Sequence, residues 1–153
     1  SQFYRASVGA VIVNADGQIL ALERSAVAGA WQMPQGGLEA GEEPLNAVIR
    51  EIFEETGIDA KDLALLAEHP RLLSYDLPLE MRSKKTGRGQ TQRWFLFRYE
   101  GDPDDIELPV NGEFGAWRWM PLAQLAEITV AFRQDVYREL AQAFASVDPF
   151  PAR

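Results

Sequence analysis

Gly36-Gly37-Leu38-Glu39-Ala40-Gly41-Glu42-Glu43-Pro44-Leu45-Asn46-Ala47-Val48-Ile49-Arg50-Glu51-Ile52-Phe53-Glu54-Glu55-Thr56-Gly57-Ile58 is the stretch on which the fold turns. Its second half predicts a helix over 43–56. Pro44 suits the first turn, where its missing N–H is no loss, and Gly57 suits the position just past the end. Leu45, Val48, Ile49, Ile52, Phe53 and Thr56 recur at steps of three and four and mark the buried face. Glu51, Glu54 and Glu55 share another surface, about 135° around the helix from the centre of that stripe. Like charges at roughly 5–6 Å repel by about 3 kcal/mol per pair at an effective dielectric of ~20, and by under ~1 kcal/mol in water. They also crowd the negative end of the helix dipole. Two local rules are broken together, as happens at functional sites.

A hard divalent cation reverses the sign of this repulsion, because Mg²⁺ or Mn²⁺ takes oxygen ligands and can bring phosphate oxygens with it. Arg50, one turn before Glu54, is placed to pair with it. On the three glutamates alone, a solvated acidic face is the competing reading. The cation reading predicts that Mg²⁺ raises the melting temperature and that Glu54→Gln stabilises the metal-free protein.

Around this helix, 153 residues suit one domain, taken as 1–147 with a loose tail at 148–153. The 46% hydrophobic and 25% charged composition argues against disorder, collagen and coiled coil. A net charge of -8 opposes a surface that coats polyanions generally. With no cysteine, disulfides, thiolate catalysis and cysteine-zinc sites are excluded; with His69 as the single histidine, so is any multi-histidine metal site. No apolar run reaches the ~20 residues of a membrane span. A cytoplasmic protein without membrane or DNA partners is expected, with a monomer as the default.

Val8–Val13 reads as a buried strand, Asn14–Gly17 as a turn and Ile19–Leu22 as the returning strand. Residues 25–41, rich in Gly, read as a long ordered loop. Further strands are expected at Leu63–Ala67, Leu72–Tyr75, Trp94–Tyr99 and Gly115–Met120, the last with Trp117 and Trp119 on one face. A second long helix is expected over Val130–Ala145, with Phe132, Val136, Leu140 and Phe144 at helical spacing.

Gly36, Glu42, Arg50-Glu51-Ile52, Glu54-Glu55 and Gly57-Ile58 stand at the spacing G-x5-E-x7-R-E-U-x-E-E-x-G-U, with U aliphatic. This resembles the Nudix box of the Nudix hydrolases at all nine constrained positions. The resemblance implies an α/β fold, an α/β/α sandwich around a mixed β-sheet, with the box as loop-helix-loop. It implies hydrolysis of a nucleoside diphosphate linked to another group. Carried over by position, Glu51, Glu54 and Glu55 bind the metals, normally Mg²⁺, with the Gly37 carbonyl as a further ligand. Arg50 orients the acidic cluster, and Gly36, Glu42 and Gly57 shape the loop-helix-loop. The general base is left open between Glu54, Glu55 and Glu113.

Outside the box, Tyr4-Arg5, Trp31 to Gly37, Tyr75 to Pro78, Gly89 to Phe95, Glu113-Phe114 with Trp117 to Trp119, and Phe132 to Tyr137 look like one branch. That branch holds the bacterial RNA pyrophosphohydrolases and the dinucleoside polyphosphate hydrolases. It implies a nucleotide or the 5′-triphosphate end of an RNA as substrate partner. Nucleoside triphosphate or ADP-ribose hydrolysis and a non-catalytic nucleotide sensor are the alternatives. Arg5 and Arg24 either meet phosphates or are surface arginines. Phe132 and Tyr75 either contact a base or pack in the core. Gln35 and Gln92 are expected as polar contacts near the site. Arg82, Lys84, Lys85, Arg88 and Arg93 lie in a stretch free of Asp and Glu, a local positive field able to attract polyphosphate. The other reading of that stretch is a mobile basic loop. His69 is expected to be structural or at the surface.

Overall fold

The computed structural model describes residues 3–147; the tail expected at 148–153 lies outside them. In chain order the elements are β1 (Tyr4–Val13), β2 (Ile19–Arg24), β3 (Trp31–Gln32), β4 (Gln35–Gly37), α1 (Pro44–Thr56), β5 (Leu63–Glu68), β6 (Leu73–Asp76), β7 (Gly89–Tyr99), β8 (Phe114–Met120), α2 (Leu122–Ile128) and α3 (Gln134–Phe144). The strands form one mixed sheet whose central path is β3-β2-β1-β7-β5; β4 adds to β1, β6 to β7 and β8 to β2. β1 and β7 run parallel from the Tyr4–Gly89 pair to the Val13–Arg98 pair, and the remaining pairs are antiparallel.

The near-continuous apolar runs follow from burial on both faces of this sheet. Successive side chains of a strand point to opposite sides. Val8, Ala10 and Ile12 of β1, Leu20 and Leu22 of β2, and Phe95 and Phe97 of β7 therefore meet Ala47, Val48 and Ile52 of α1. Val11 and Val13, Ile19 and Ala21, and Trp94 and Leu96 meet Leu125 of α2 and Val136, Tyr137 and Leu140 of α3 on the other side. The result is the expected three-layer α/β/α arrangement. No helix among the described residues is long and apolar enough to cross a membrane.

Three local expectations are corrected. The segment 25–41 contains two short strands, β3 and β4, because it returns to pair with β2 and β1. The helix expected over Val130–Ala145 is a 3₁₀ turn at Ala131–Arg133 followed by α3, and a separate α2 precedes it. The break comes at Thr129 and Val130, which are extended; the Thr129 hydroxyl donates to the Trp31 carbonyl at 2.9 Å and ties the link down. In α1 the buried stripe is Ala47, Val48, Ile52, Glu55 and Thr56, so Phe53 is 52% exposed and Glu55 takes an inward position.

Candidate active site

The site is built where β4 runs into the acidic helix. β4 pairs with β1 so that Gly36 stands opposite Val8 and Gly37 opposite Ser7. The two glycines serve close approach. A Cβ on Gly36 would overlap the Glu51 carboxylate, and one on Gly37 would overlap the Arg5 guanidinium. At the far end of α1, Gly57 closes the helix with φ +78° and donates its N–H to the Phe53 carbonyl at 2.9 Å.

Arg50 is the hub of the loop-helix. Its Nε and Nη2 donate to the two oxygens of Glu42 at 2.8 and 2.9 Å, a fork that lysine cannot reproduce. Nη2 also donates to the Gly37 carbonyl at 3.1 Å, and Nη1 reaches Glu51 at 2.9 Å and Glu54 at 3.3 Å. Hydrogen bonding to Arg50 holds the Glu42 carboxyl below its ordinary value, and hydrogen bonding to Glu42 raises the Arg50 guanidinium. The expected Arg50–Glu54 pair is thus present but is the longest of these contacts.

The three box glutamates do not share one environment. Glu54 is open, with its side chain 55% exposed. Glu51 is largely covered, and burial raises its pKa against the lowering effect of Arg50. Glu55 is buried, accepts the Gln35 N–H at 2.9 Å, and is pushed up to about 9 by burial, then by the nearby Glu113 and Glu51. The expectation that all three face away from the core holds for Glu54 only.

Among the described residues no group of three His, Asp or Glu side chains is already gathered as a metal cage. The donor set still fits a hard cation. All of its atoms are oxygens, and a buried carboxylate whose closest charged neighbours are carboxylates is stable as an anion only with positive charge beside it. Glu51, Glu54 and Glu55, with the Gly37 carbonyl, would hold such an ion.

A cavity of about 400 Å³ opens beside this cluster, with Arg5, Arg24, Gln35, Gly36, Gly37, Glu51 and Glu113 in its wall. Glu113, placed just before β8, accepts from Arg24 Nη1 at 2.9 Å. The Ser25 N–H donates to the Glu113 carbonyl at 2.8 Å and holds the segment against the end of β2. Of the remaining expected contacts, Gln92 is fully buried and lies behind the wall, donating to Gln35 at 3.3 Å and accepting from the Trp94 indole at 3.1 Å. Tyr75 belongs to the core and packs on Phe132 with ring centroids 5.4 Å apart; Phe132 is the half-buried, outer ring of the pair. Arg93 is not at the cavity: it is bound to Glu68 at 2.6 Å, beside the start of α1. His69 is buried, with Nε2 3.0 Å from Glu139, and is structural.

Sequence reasoning missed Gln32, Gln90 and Arg133 in the cavity wall. Arg133 donates to Gln32 at 3.2 Å and lies over the Phe132 and Tyr75 rings, 5.0 and 5.9 Å from their centroids. Its signal was its place directly after Phe132. Gln90 could have been found from the strand alternation that puts it on the same side of β7 as Gln92.

A family model described as the NUDIX domain matches residues 3–140. The chain is 41% identical over 146 residues to an RNA pyrophosphohydrolase of Cereibacter sphaeroides (strain ATCC 17029 / ATH 2.4.9), an alignment covering 92% of this chain and 90% of that one. It superposes on the Escherichia coli dihydroneopterin triphosphate pyrophosphohydrolase with a TM-score of 0.74 at 23% identity, covering 93% and 99% of the two chains. For a Caenorhabditis elegans Ap4A hydrolase binary complex the TM-score is 0.69 at 24% identity, covering 92% and 98%. At these identities the two superpositions speak for the fold alone. Together with the loop-helix-loop that Arg50 ties to Glu42 and Gly37, the family model and the relative show that the chain belongs to the Nudix family, hydrolases of phosphoanhydride bonds that use a divalent cation.

Proposed function

We propose that the chain removes pyrophosphate from the 5′-triphosphate end of RNA and, through the same site, splits dinucleoside polyphosphates such as diadenosine tetraphosphate, with Mg²⁺ as its ion. The observation that carries this reading is one cavity whose wall joins the box carboxylate Glu51 and the carboxylate Glu113 to Arg5, Arg24 and Arg133, with the Tyr75–Phe132 pair under Arg133. Both substrates present a nucleotide joined to a polyphosphate, so one arrangement serves both. An aromatic platform accepts any base by its face. The relative named RNA pyrophosphohydrolase supports the RNA end as the first of the two. A chain without cysteine agrees with work in the reducing cytoplasm.

The ion, when bound, neutralises phosphate oxygens and acidifies the attacking water. Glu51, Glu54 and Glu55 would hold it with the Gly37 carbonyl. Arg50 is a positioning residue that fixes Glu51 and Glu54 from one side and Glu42 from the other. Arg5 and Arg24 face the polyphosphate, and Arg24 exchanges Glu113 for a phosphate oxygen. Phe132 stacks on the base, with Tyr75 behind it and Gln92 setting the rotamer of Gln35. The water proton goes to Glu54, Glu55 or Glu113. The pH–rate profiles of the three glutamine variants separate them, because the variant of the true base loses the acidic limb.

The test is a competition assay with Mg²⁺, 5′-triphosphate RNA and diadenosine tetraphosphate in one mixture, reading the ratio of kcat/KM from products. Turnover of the RNA end, abolished by Glu54→Gln in a variant that still folds, is the expected result. Binding of nucleotide without any product would overturn it in favour of a sensor.

A further inference from the structure

The basic stretch of 82–93 is divided by its partners. Arg88 donates to Asp76 at 2.9 Å, Arg82 stands 3.9 Å from the same oxygen, and Arg93 is bound to Glu68. The Tyr4 hydroxyl donates to the other Asp76 oxygen at 2.6 Å, and the Arg88 N–H donates to the Phe3 carbonyl at 2.8 Å. These bonds clamp the base of the 77–88 hairpin to the start of β1, next to Arg5. The tip is closed on itself. The Ser83 N–H donates to Thr86 Oγ1 at 2.9 Å, the Thr86 N–H returns to Ser83 Oγ at 3.1 Å, and the Gly87 N–H donates to the Ser83 carbonyl at 2.7 Å. Gly87, at φ +62°, lies so close to the Phe3 carbonyl that no Cβ fits there. This turn is therefore a fixed arm rather than a loose basic loop.

The arm presents Lys85 to the cavity wall, alongside Arg5, Gly37 and Glu51. Of the other cations of that wall, Arg24 is paired with Glu113, while Arg133 is turned onto Gln32 and the two aromatic rings and keeps its Nε buried without a partner. Among the described residues, neither Lys85 nor Arg5 has an anionic side chain within ion-pair distance. Lysine offers three rotatable donors on a flexible stem, suited to a terminal phosphoryl group whose oxygens are not fixed in one plane.

We propose that Lys85 is a specificity-determining residue that, with Arg5, seats the end of the polyphosphate, so that the site prefers three phosphates in a row to two. This rests on the polyphosphate substrate proposed above. A triphosphate carries a phosphoryl group and a charge that a diphosphate lacks, and Lys85, unpaired and in the same wall as Arg5, is the cation that the arm brings to meet it.

Calorimetry with inorganic triphosphate and with pyrophosphate tests the seat apart from turnover. Lys85→Ala should weaken triphosphate binding about tenfold, as a lost charge-assisted hydrogen bond would, and pyrophosphate binding by less than about twofold. Lys85→Arg should restore it. Lys84→Ala removes the same charge from the same turn without touching the cavity wall and should change either affinity by less than about twofold. In turnover, Lys85→Ala should raise KM for 5′-triphosphate RNA about tenfold and leave kcat within about twofold. Equal weakening for both anions, no weakening, or an equal effect of Lys84→Ala would overturn the proposal. Wild-type protein that binds triphosphate but turns over no nucleotide would overturn the substrate reading instead, and the binding series would still decide on Lys85.

Discussion

Glu55 carries the largest departure from ordinary side-chain chemistry among the box residues. Its carboxyl titrates near 4.5 in the unfolded chain and is pushed up to about 9 in the folded one. Between those values the folded state binds a proton that the unfolded state has released, so stability falls as pH rises through that window. Metal-free protein should therefore lose melting temperature steadily from about pH 5 to about pH 9, and Glu55→Gln should flatten the slope. The substitution keeps the acceptor for the Gln35 N–H and removes the buried charge. Parallel slopes for the two proteins would contradict this account. The sequence alone pointed to Glu54→Gln as the stabilising change, but Glu54 is open and bonded to Arg50, so its neutralisation relieves little. Arg50 is the other residue whose geometry decides an outcome. Arg50→Lys keeps the charge and loses the fork to Glu42; kcat should fall about tenfold to a hundredfold with KM little changed, as for other residues that orient metal ligands. A kcat within a factor of about two of wild type would rule out the positioning role.

At the scale of elements, the cavity depends on how α3 is tied to the segment carrying β3 and β4. The Tyr137 hydroxyl is fully buried, accepts the Met33 N–H at 2.9 Å, and is pushed up to about 12 chiefly by burial. Tyr137→Phe leaves that N–H unpaired inside the protein and should destabilise by about 1–3 kcal/mol. Amide exchange should accelerate first at Met33 if α3 holds this segment, and uniformly over the sheet if it does not. Helix α1 was legible in advance because capping, Pro44 and the apolar stripe are local signals. The break before α3 was not. The spacing of Phe132, Val136, Leu140 and Phe144 continues through it, while the bond from Thr129 to Trp31 that enforces it joins residues far apart in the chain.

For the whole molecule, the parallel pair β1–β7 is the spine on which both layers rest. At its middle Gly9 stands opposite Trp94, and a Cβ on Gly9 would come within 2.5 Å of the indole ring. Gly9→Ala should therefore cost about 1–3 kcal/mol by overpacking, read as a lower midpoint in urea with an unchanged slope. Binding of Mg²⁺ acts on the same total in the opposite direction. At an ion concentration about a hundredfold over its Kd the folded state should gain about 2.7 kcal/mol, and the melting temperature should rise. Equal melting temperatures with and without the ion would count against the acidic cluster as its site.

What the sequence determined by itself was the part set by short-range geometry. The spacing of Gly36, Glu42, Arg50, Glu51, Glu54, Glu55 and Gly57 specifies a loop and a capped helix that carry the oxygen donors, and the near-continuous apolar runs along β1, β2 and β7 specify strands covered on both faces. Only the tertiary structure decided which glutamate is buried and which is open. It also decided that Arg50 is forked to Glu42, and that Arg82, Arg88 and Arg93 are neutralised while Arg5 and Lys85 are not. It brought Gln32, Gln90 and Arg133 into one wall. The reason is physical: burial and ion pairing are properties of what packs against a side chain, and here the packing partners come from strands and turns distant along the chain.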